Sequence, residues 1–184
     1  MYSSDLGTPY AGSTRLVPIV SSGGLTSAAM YDGDLVELTS AGTCQTVSSG
    51  TAAPQALGVC VGVQYVNSLG QTVQAQYAPA NSTNAVAYVV DDPSALFKVA
   101  MVSSGTTIAG LGRTAVGQNT SVILNSGSAT TGDSKQAISS TTNITATLPI
   151  RIVDVVPETA TGADTFVEFV VKINTHTYLN TTGV

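Results

Sequence analysis

The sequence predicts an all-β fold, a single-domain β-barrel or β-sandwich of about nine or ten short strands with one short capped helical turn. Three observations carry this. Apolar residues alternate with small or polar ones over short runs such as Leu57 to Tyr65. Turns rich in Gly, Ser and Asn separate those runs. No segment shows the period of a long amphipathic helix.

In chain order, residues 1–14 are polar, carry Gly and Pro and lack periodicity, and so read as an N-terminal arm. Arg15 to Val20 is a short apolar piece; Pro18 cannot donate to a ladder, which places it at a sheet edge. Ser21 to Ser27 is a loop around Gly23-Gly24. Tyr31-Asp32-Gly33-Asp34 turns into a strand at Leu35–Thr39, and the Ala41-Gly42 turn returns through Cys44–Val47 as a hairpin. Leu57 to Tyr65 is the cleanest strand of the first half. Strict alternation would put Leu57, Val59, Val61, Val63 and Tyr65 on a core face and Gly58, Cys60, Gly62 and Gln64 on the other, where glycines imply close approach by another layer. Asn67 to Gly70 turns the chain, and Val73, Ala75 and Tyr77 return.

Asn84 to Met101 is the longest locally consistent signal. Val86, Tyr88 and Val90 alternate with Ala85, Ala87 and Val89 as a strand. Asp92 is then placed to cap a helical turn opened by Pro93, whose missing N–H is harmless at a first helical position. Leu96 and Phe97 fold back as an apolar plug, and a strand leaves at Lys98 to Val102. Beyond it, 108–119 reads as an irregular loop with a helical turn and Val122-Ile123-Leu124 as a short strand. Asn125 to Gly132 reads as a mobile, Ser/Thr/Gly-rich stretch, and the loop at 125–135 as the soft spot of the chain. Ala137-Ile138 and Ile144 to Leu148 are weak strands. Pro149 to Val156 and Thr165 to Asn174 are strong ones, joined by a loop at 158–164. The division is an arm at 1–14, a β domain at 15–174 and a polar C-terminal tail at 175–184.

Composition bounds the function. Charged residues are 9% of the chain, against about 25% in ordinary soluble domains. A surface made of Ser, Thr, Asn, Gln and Gly suits a chain packed against others, since free monomers keep apart by charge. The net charge is −5 and the six Lys and Arg are scattered singly, which argues against direct nucleic-acid binding. No apolar run is long enough to span a membrane, and the first residues lack the basic and apolar segments of a secretory leader. Cys44 and Cys60 read as free, small apolar residues.

Little reactive chemistry is legible. The single histidine, His176, follows a strand end in a polar segment and is expected at a surface or interface, because a base needs convergent partners. Asp32 and Asp34 flank Gly33, while Asp91 and Asp92 precede Pro93; a Ca²⁺ site would require distant loops to join both pairs, since a hard cation takes about six to eight oxygens. Asn-x-Ser/Thr matches at Asn81, Asn119, Asn143 and Asn180 are what so polar a composition produces by chance. No catalytic residue, metal ligand or cofactor is assigned.

A likeness enters on a series of short motifs: Tyr31-Asp32-Gly33-Asp34-Leu35-Val36, Leu57-Gly58-Val59 with Gly62, Ala87-Tyr88-Val89-Val90-Asp91-Asp92-Pro93 with Phe97, and Arg151-Ile152-Val153-Asp154 with Asn174 and His176. Together, over residues 10–184, they resemble small structural proteins of tailed bacteriophages of marine and freshwater bacteria, the head decoration or capsid cement proteins. The resemblance implies a non-enzymatic homotrimer on the outer surface of the virion. Its partner would be the major capsid protein, bound across neighbouring subunits, with no cofactor, nucleic acid or membrane involved. It also implies an arm that orders only on the particle. The interface candidates are Tyr2, Leu6 and Tyr10 of the arm, Asp92, Pro93 and Phe97 of the capped turn, and His176 and Tyr178 of the tail. The rival readings are a carbohydrate-binding or adhesive virion module, a minor capsid subunit, and a glycan hydrolase with acids gathered in a cleft.

Overall fold

The computed structural model describes the backbone of residues 2–3 and residues 12–50, 55–109, 111–160, 166–180 and 183. In chain order the strands are β1 (Tyr2–Ser3), β2 (Arg15–Pro18), β3 (Ser21–Ser22), β4 (Leu25–Thr26), β5 (Met30–Tyr31), β6 (Leu35–Leu38), β7 (Cys44–Thr46), β8 (Ala56–Val66), β9 (Thr72–Ala75), β10 (Tyr77–Ala78), β11 (Thr83–Val90), β12 (Leu96–Ser104), β13 (Thr107–Ile108), β14 (Asn119–Ile123), β15 (Ala137–Asn143), β16 (Ile150–Val155) and β17 (Glu168–Ile173). Strands hold 51% of the described residues and helical turns 6%, which makes the class all-β. Among the described residues the helical pieces are 3₁₀ turns at Arg113–Ala115, Pro157–Thr159 and Thr177–Leu179.

Two curled sheets carry the fold. In the first, β3, β4, β11, β8, β6 and β7 lie in that order, with β2 also on β11 and β9 also on β8. Ile19, just past β2, bridges Cys44 of β7, and the Val20 N–H donates to the Cys44 carbonyl at 2.8 Å. The pairing thus runs round to where it began. In the second sheet the order is β12, β15, β14, β16, β17, and β17 pairs back onto β12 from Leu96↔Lys172 to Ala100↔Glu168. Closure of this kind leaves few bare strand edges. β5 and β10 form a separate pair.

Each sheet wraps its own core. Val17, Ile19, Met30, Val36, Cys44, Leu57, Cys60 and Val89 belong to the first. Phe97, Met101, Ile138, Ile150, Ile152 and Phe169 belong to the second, together with Leu35, Val59 and Val90 contributed by the first sheet. β8 serves both cores, and here strict alternation fails. Leu57, Cys60 and Val63 face one core, whereas Ala56 and Val59 face the other. Two bulges cause the exchange. Gly58 opposes Val36 and Ala56 opposes Glu37, leaving Leu57 as an extra residue. Farther on, Val61 and Gly62 together oppose Tyr88, between the Cys60↔Val89 and Val63↔Ala87 pairs. Gly62 takes φ +145°, open to glycine and rarely to other residues. Each inserted residue swaps the faces beyond it.

At Gly58 the close approach is real, but it is made by the neighbouring strand β11 of the same sheet and not by another layer. A Cβ there would collide with the Val90 carbonyl oxygen and lie 2.9 Å from Val89 Cγ1. The backbones of β8 and β11 are close because nothing stands between them.

Four expectations are corrected. The turn after Asp92 is not helical. Asp92 Oδ1 accepts from the Ser94 N–H at 2.8 Å, the Ala95 N–H donates to the Asp92 carbonyl at 3.1 Å, and pairing with β17 begins at Leu96. Phe97 is a core strand residue, 1% exposed. Ile144 to Leu148 is not a strand, because Asn143 Oδ1 captures the Ile144 N–H at 2.7 Å and the Thr145 N–H at 3.3 Å. The 125–135 loop is pinned to the first sheet: the Ser134 N–H donates to the Asp32 carbonyl at 2.7 Å, and the Leu35 N–H to Gln136 Oε1 at 3.0 Å. Gly127 lies against the ring of Tyr31, which stacks on Tyr77 at 5.5 Å. Finally, Thr175 and His176 are not surface residues. The Ala56 N–H donates to the Thr175 carbonyl at 3.1 Å, and His176 bridges Ala56 with 0% exposure.

Candidate functional site

The sequence-derived candidates fall into two places, and two lie outside the described residues. Tyr2 pairs with Lys98 on the edge of β12, and Ser3 with Phe97, so the start of the arm is paired within the chain itself. Leu6 and Tyr10 are outside the described residues. Phe97 lies in the core of the second sheet, and Asp92, Pro93, His176 and Tyr178 flank the place where the Asp91-Asp92-Pro93 turn meets the segment after β17.

The centre of that cluster is Asp91, at the exit of β11. Its Oδ2 accepts from Tyr178 Oη at 2.9 Å and lies 3.1 Å from Arg15 Nε. The Arg15 guanidinium stands over the Tyr178 ring at 5.7 Å, a cation–π arrangement. β2 runs antiparallel to β11 with Arg15 opposite Val89, which brings the guanidinium to the β11 exit. Tyr178 in turn leans on His176, their rings 5.1 Å apart and tilted by 53°.

His176 is shaped as a structural post. Its Nδ1 accepts from the Tyr178 N–H at 3.1 Å, so the neutral ring carries its proton on Nε2. Nε2 is buried and has no hydrogen-bond partner among the described residues. Burial holds the pKa below the ordinary histidine value, against the pull of the Asp91 and Asp92 carboxylates. With its lone pair engaged and the ring closed to solvent, His176 has no free nitrogen with which to take a proton from a bound molecule. Burial, followed by the hydrogen bond to Asp91, raises the Tyr178 pKa.

The other aspartate pair is engaged separately. Asp34 is 3% exposed, and its Oδ2 accepts from the Tyr31 N–H at 3.0 Å and from Thr46 Oγ1 at 3.3 Å. Burial pushes its carboxyl above the usual range, and it does the same to Asp32, with Asp133 adding to the effect. Asp34 therefore organises the 31–34 turn, and Asp91 the far cluster. Among the described residues, no three His, Cys, Asp or Glu side chains converge as metal ligands. Cys44 and Cys60 are free and buried, their thiols each pushed up to about 12 by desolvation.

Arg15 was not among the sequence candidates. Its role depends on the β2–β11 register, and the only local signal is a lone cation at the head of an apolar run. The fold defines the class: an all-β body of curled sheets. No protein-family model, curated protein or solved structure matches the chain.

Proposed function

We propose that the chain is a capsid decoration (cement) protein. It binds the outside of a phage head across neighbouring major capsid protein subunits and stabilises the mature shell. The observation that carries this reading is the character of the surface. It is poor in charge yet displays large apolar side chains on loops and strand ends, among them Leu69 at 79%, Ile144 at 89%, Leu179 at 59% and Leu16 at 55% exposure. A surface so poor in charge suits a body packed against other subunits, since free monomers keep apart by charge. The motif resemblance points the same way.

The physics is that of linkage. A body that binds the assembled shell and not its separated subunits shifts the equilibrium toward the shell by mass action. Contacts to two or more subunits act at high effective concentration, so modest interfaces give tight retention. A site at a three-fold axis would favour a cyclic trimer.

The test is to add the purified chain to heads that lack it, then measure copies bound and the temperature at which the heads release DNA. Saturable binding at a fixed ratio to the major capsid protein, with a higher release temperature, is the expected outcome. Heads that neither bind the chain nor change in release temperature would remove the proposal.

A further inference from the structure

On the outer face of the second sheet lies a groove of about 340 Å³. The outward side of β12, including Ala100 and Val102, lines it together with Phe166 and Ile108. Phe97 and Phe169 are buried to 1% and 0%, whereas Phe166 is 46% exposed and Ile108 40%. Two large apolar side chains left in water at the mouth of one concavity are what a protein-binding anchor site requires. Part of the lining is preformed: Asn125 Nδ2 donates to the Gly105 carbonyl at 2.7 Å and to the Lys135 carbonyl at 3.1 Å, tying the loop to the β12–β13 hairpin.

The charge at this groove selects the occupant. Two of the three lysines of this acidic chain, Lys98 and Lys135, line it. Lys98 Nζ is already 3.1 Å from Glu168 Oε2. Lys135 is exposed and has no ion-pair partner among the described residues. One uncompensated ammonium beside an apolar slot fits a carboxylate next to an apolar side chain.

We infer that this groove docks an extended peptide segment of a partner protein, an apolar side chain entering between Phe166 and Ile108 while a neighbouring acidic residue pairs with Lys135. If the chain clamps a shell, that segment is the shell subunit's; the chemistry of the groove stands without that reading.

The probe is the peptide acetyl-Gly-Asp-Leu-Glu-Gly-amide, titrated into the isotope-labelled full chain and followed by amide NMR shifts at about 0.15 M salt, where the screening length is about 8 Å. This needs no phage heads, so its result is separate from the head-binding experiment. Shifts should concentrate around Ile108, Lys135 and Phe166. Lys135→Glu and Phe166→Ala should each weaken binding about tenfold or more. Lys172→Glu, which changes net charge equally but lies outside the groove, should leave binding within about twofold, since solvent and salt screen a distant charge. The inference is overturned by the absence of shifts in the groove, by equal binding of a peptide with Lys in place of both acids, or by Lys172→Glu weakening binding as much as Lys135→Glu.

Discussion

Gly58→Ala adds one methyl group at the closest approach of β8 and β11. The φ of Gly58 is not positive, so alanine is acceptable to the backbone and the whole penalty is one of contact. Carbon atoms need about 3.5 Å, and the new Cβ would have 2.8 Å to the Val90 carbonyl carbon, with the oxygen closer still. The strands would have to part by at least about 0.7 Å to clear the carbon, and by more to clear the oxygen. The obstacle is backbone and cannot rotate away. Parting stretches the neighbouring ladder bonds, near the Val90↔Val59 and Val89↔Cys60 pairs, toward about 3.6 Å, where they cease to be hydrogen bonds. Two weakened bonds at about 1 kcal/mol each, with some residual strain, give about 3 kcal/mol. The lower chain entropy of unfolded alanine returns up to about 1 kcal/mol. The net loss of about 2–3 kcal/mol corresponds to a fall in Tm of roughly 4–12 °C at this chain length. The control is Gly112→Ala, at φ −76° with nothing within 4 Å of the added Cβ. It should match the wild type or melt slightly higher. Calorimetry of the three proteins decides. A Gly58→Ala Tm within about 1 °C of the wild type, or an equal fall in Gly112→Ala, would refute the contact argument.

Stability should respond to pH through two buried groups acting in opposite senses. The raised pKa of Asp34 means that the folded state holds its proton longer, so its contribution falls as pH rises through the window above the ordinary carboxylate range. Urea midpoints from about pH 4 to 7 should therefore show the wild type losing ground to Asp34→Asn as pH rises. His176 has a lowered pKa, so stability is lost as pH falls below the ordinary histidine value; the wild type should lose ground to His176→Asn in that direction. Parallel midpoint curves for variant and wild type would contradict either assignment. Asp91→Ala should cost about 1–2 kcal/mol in urea unfolding. The Tyr178 hydrogen bond and the Arg15 ion pair share this cost, and solvent weakens both, since Tyr178 and Arg15 are each about half exposed. A double-mutant cycle with Tyr178→Phe that shows no coupling would sink that account. The thiols of Cys44 and Cys60, buried and pushed up to about 12, should ignore a disulfide reagent in the folded protein and react on unfolding. Rapid labelling of the folded chain would contradict their burial.

The class of fold was legible because alternation and turn chemistry are local. Leu35–Leu38, Cys44–Thr46 and Glu168–Ile173 fall within runs expected to be strands, and Thr83–Val90 begins one residue ahead of its run. What failed depended on partners far along the chain. The faces of β8 could not be read past Leu57 and Gly62, since a bulge is defined by the strand opposite. The 125–135 loop carries every local sign of mobility, and its anchors, Asp32 and Leu35, lie about a hundred residues earlier. His176 looked exposed because its neighbours are polar; the bridge to Ala56 buries it. Asp91 was visible as one of a carboxylate pair, but its partner Arg15 was not, for the same reason.

The two inserted residues in β8 have a consequence for how the protein can come apart. One ribbon of backbone is a wall of both compartments, so opening either one strips side chains from the other. Neither half should be separable by cutting the gene, and heating should give a single calorimetric peak for both. A head-bound protein built this way would leave its post whole or stay whole, with no partly open form to serve as a foothold for proteases.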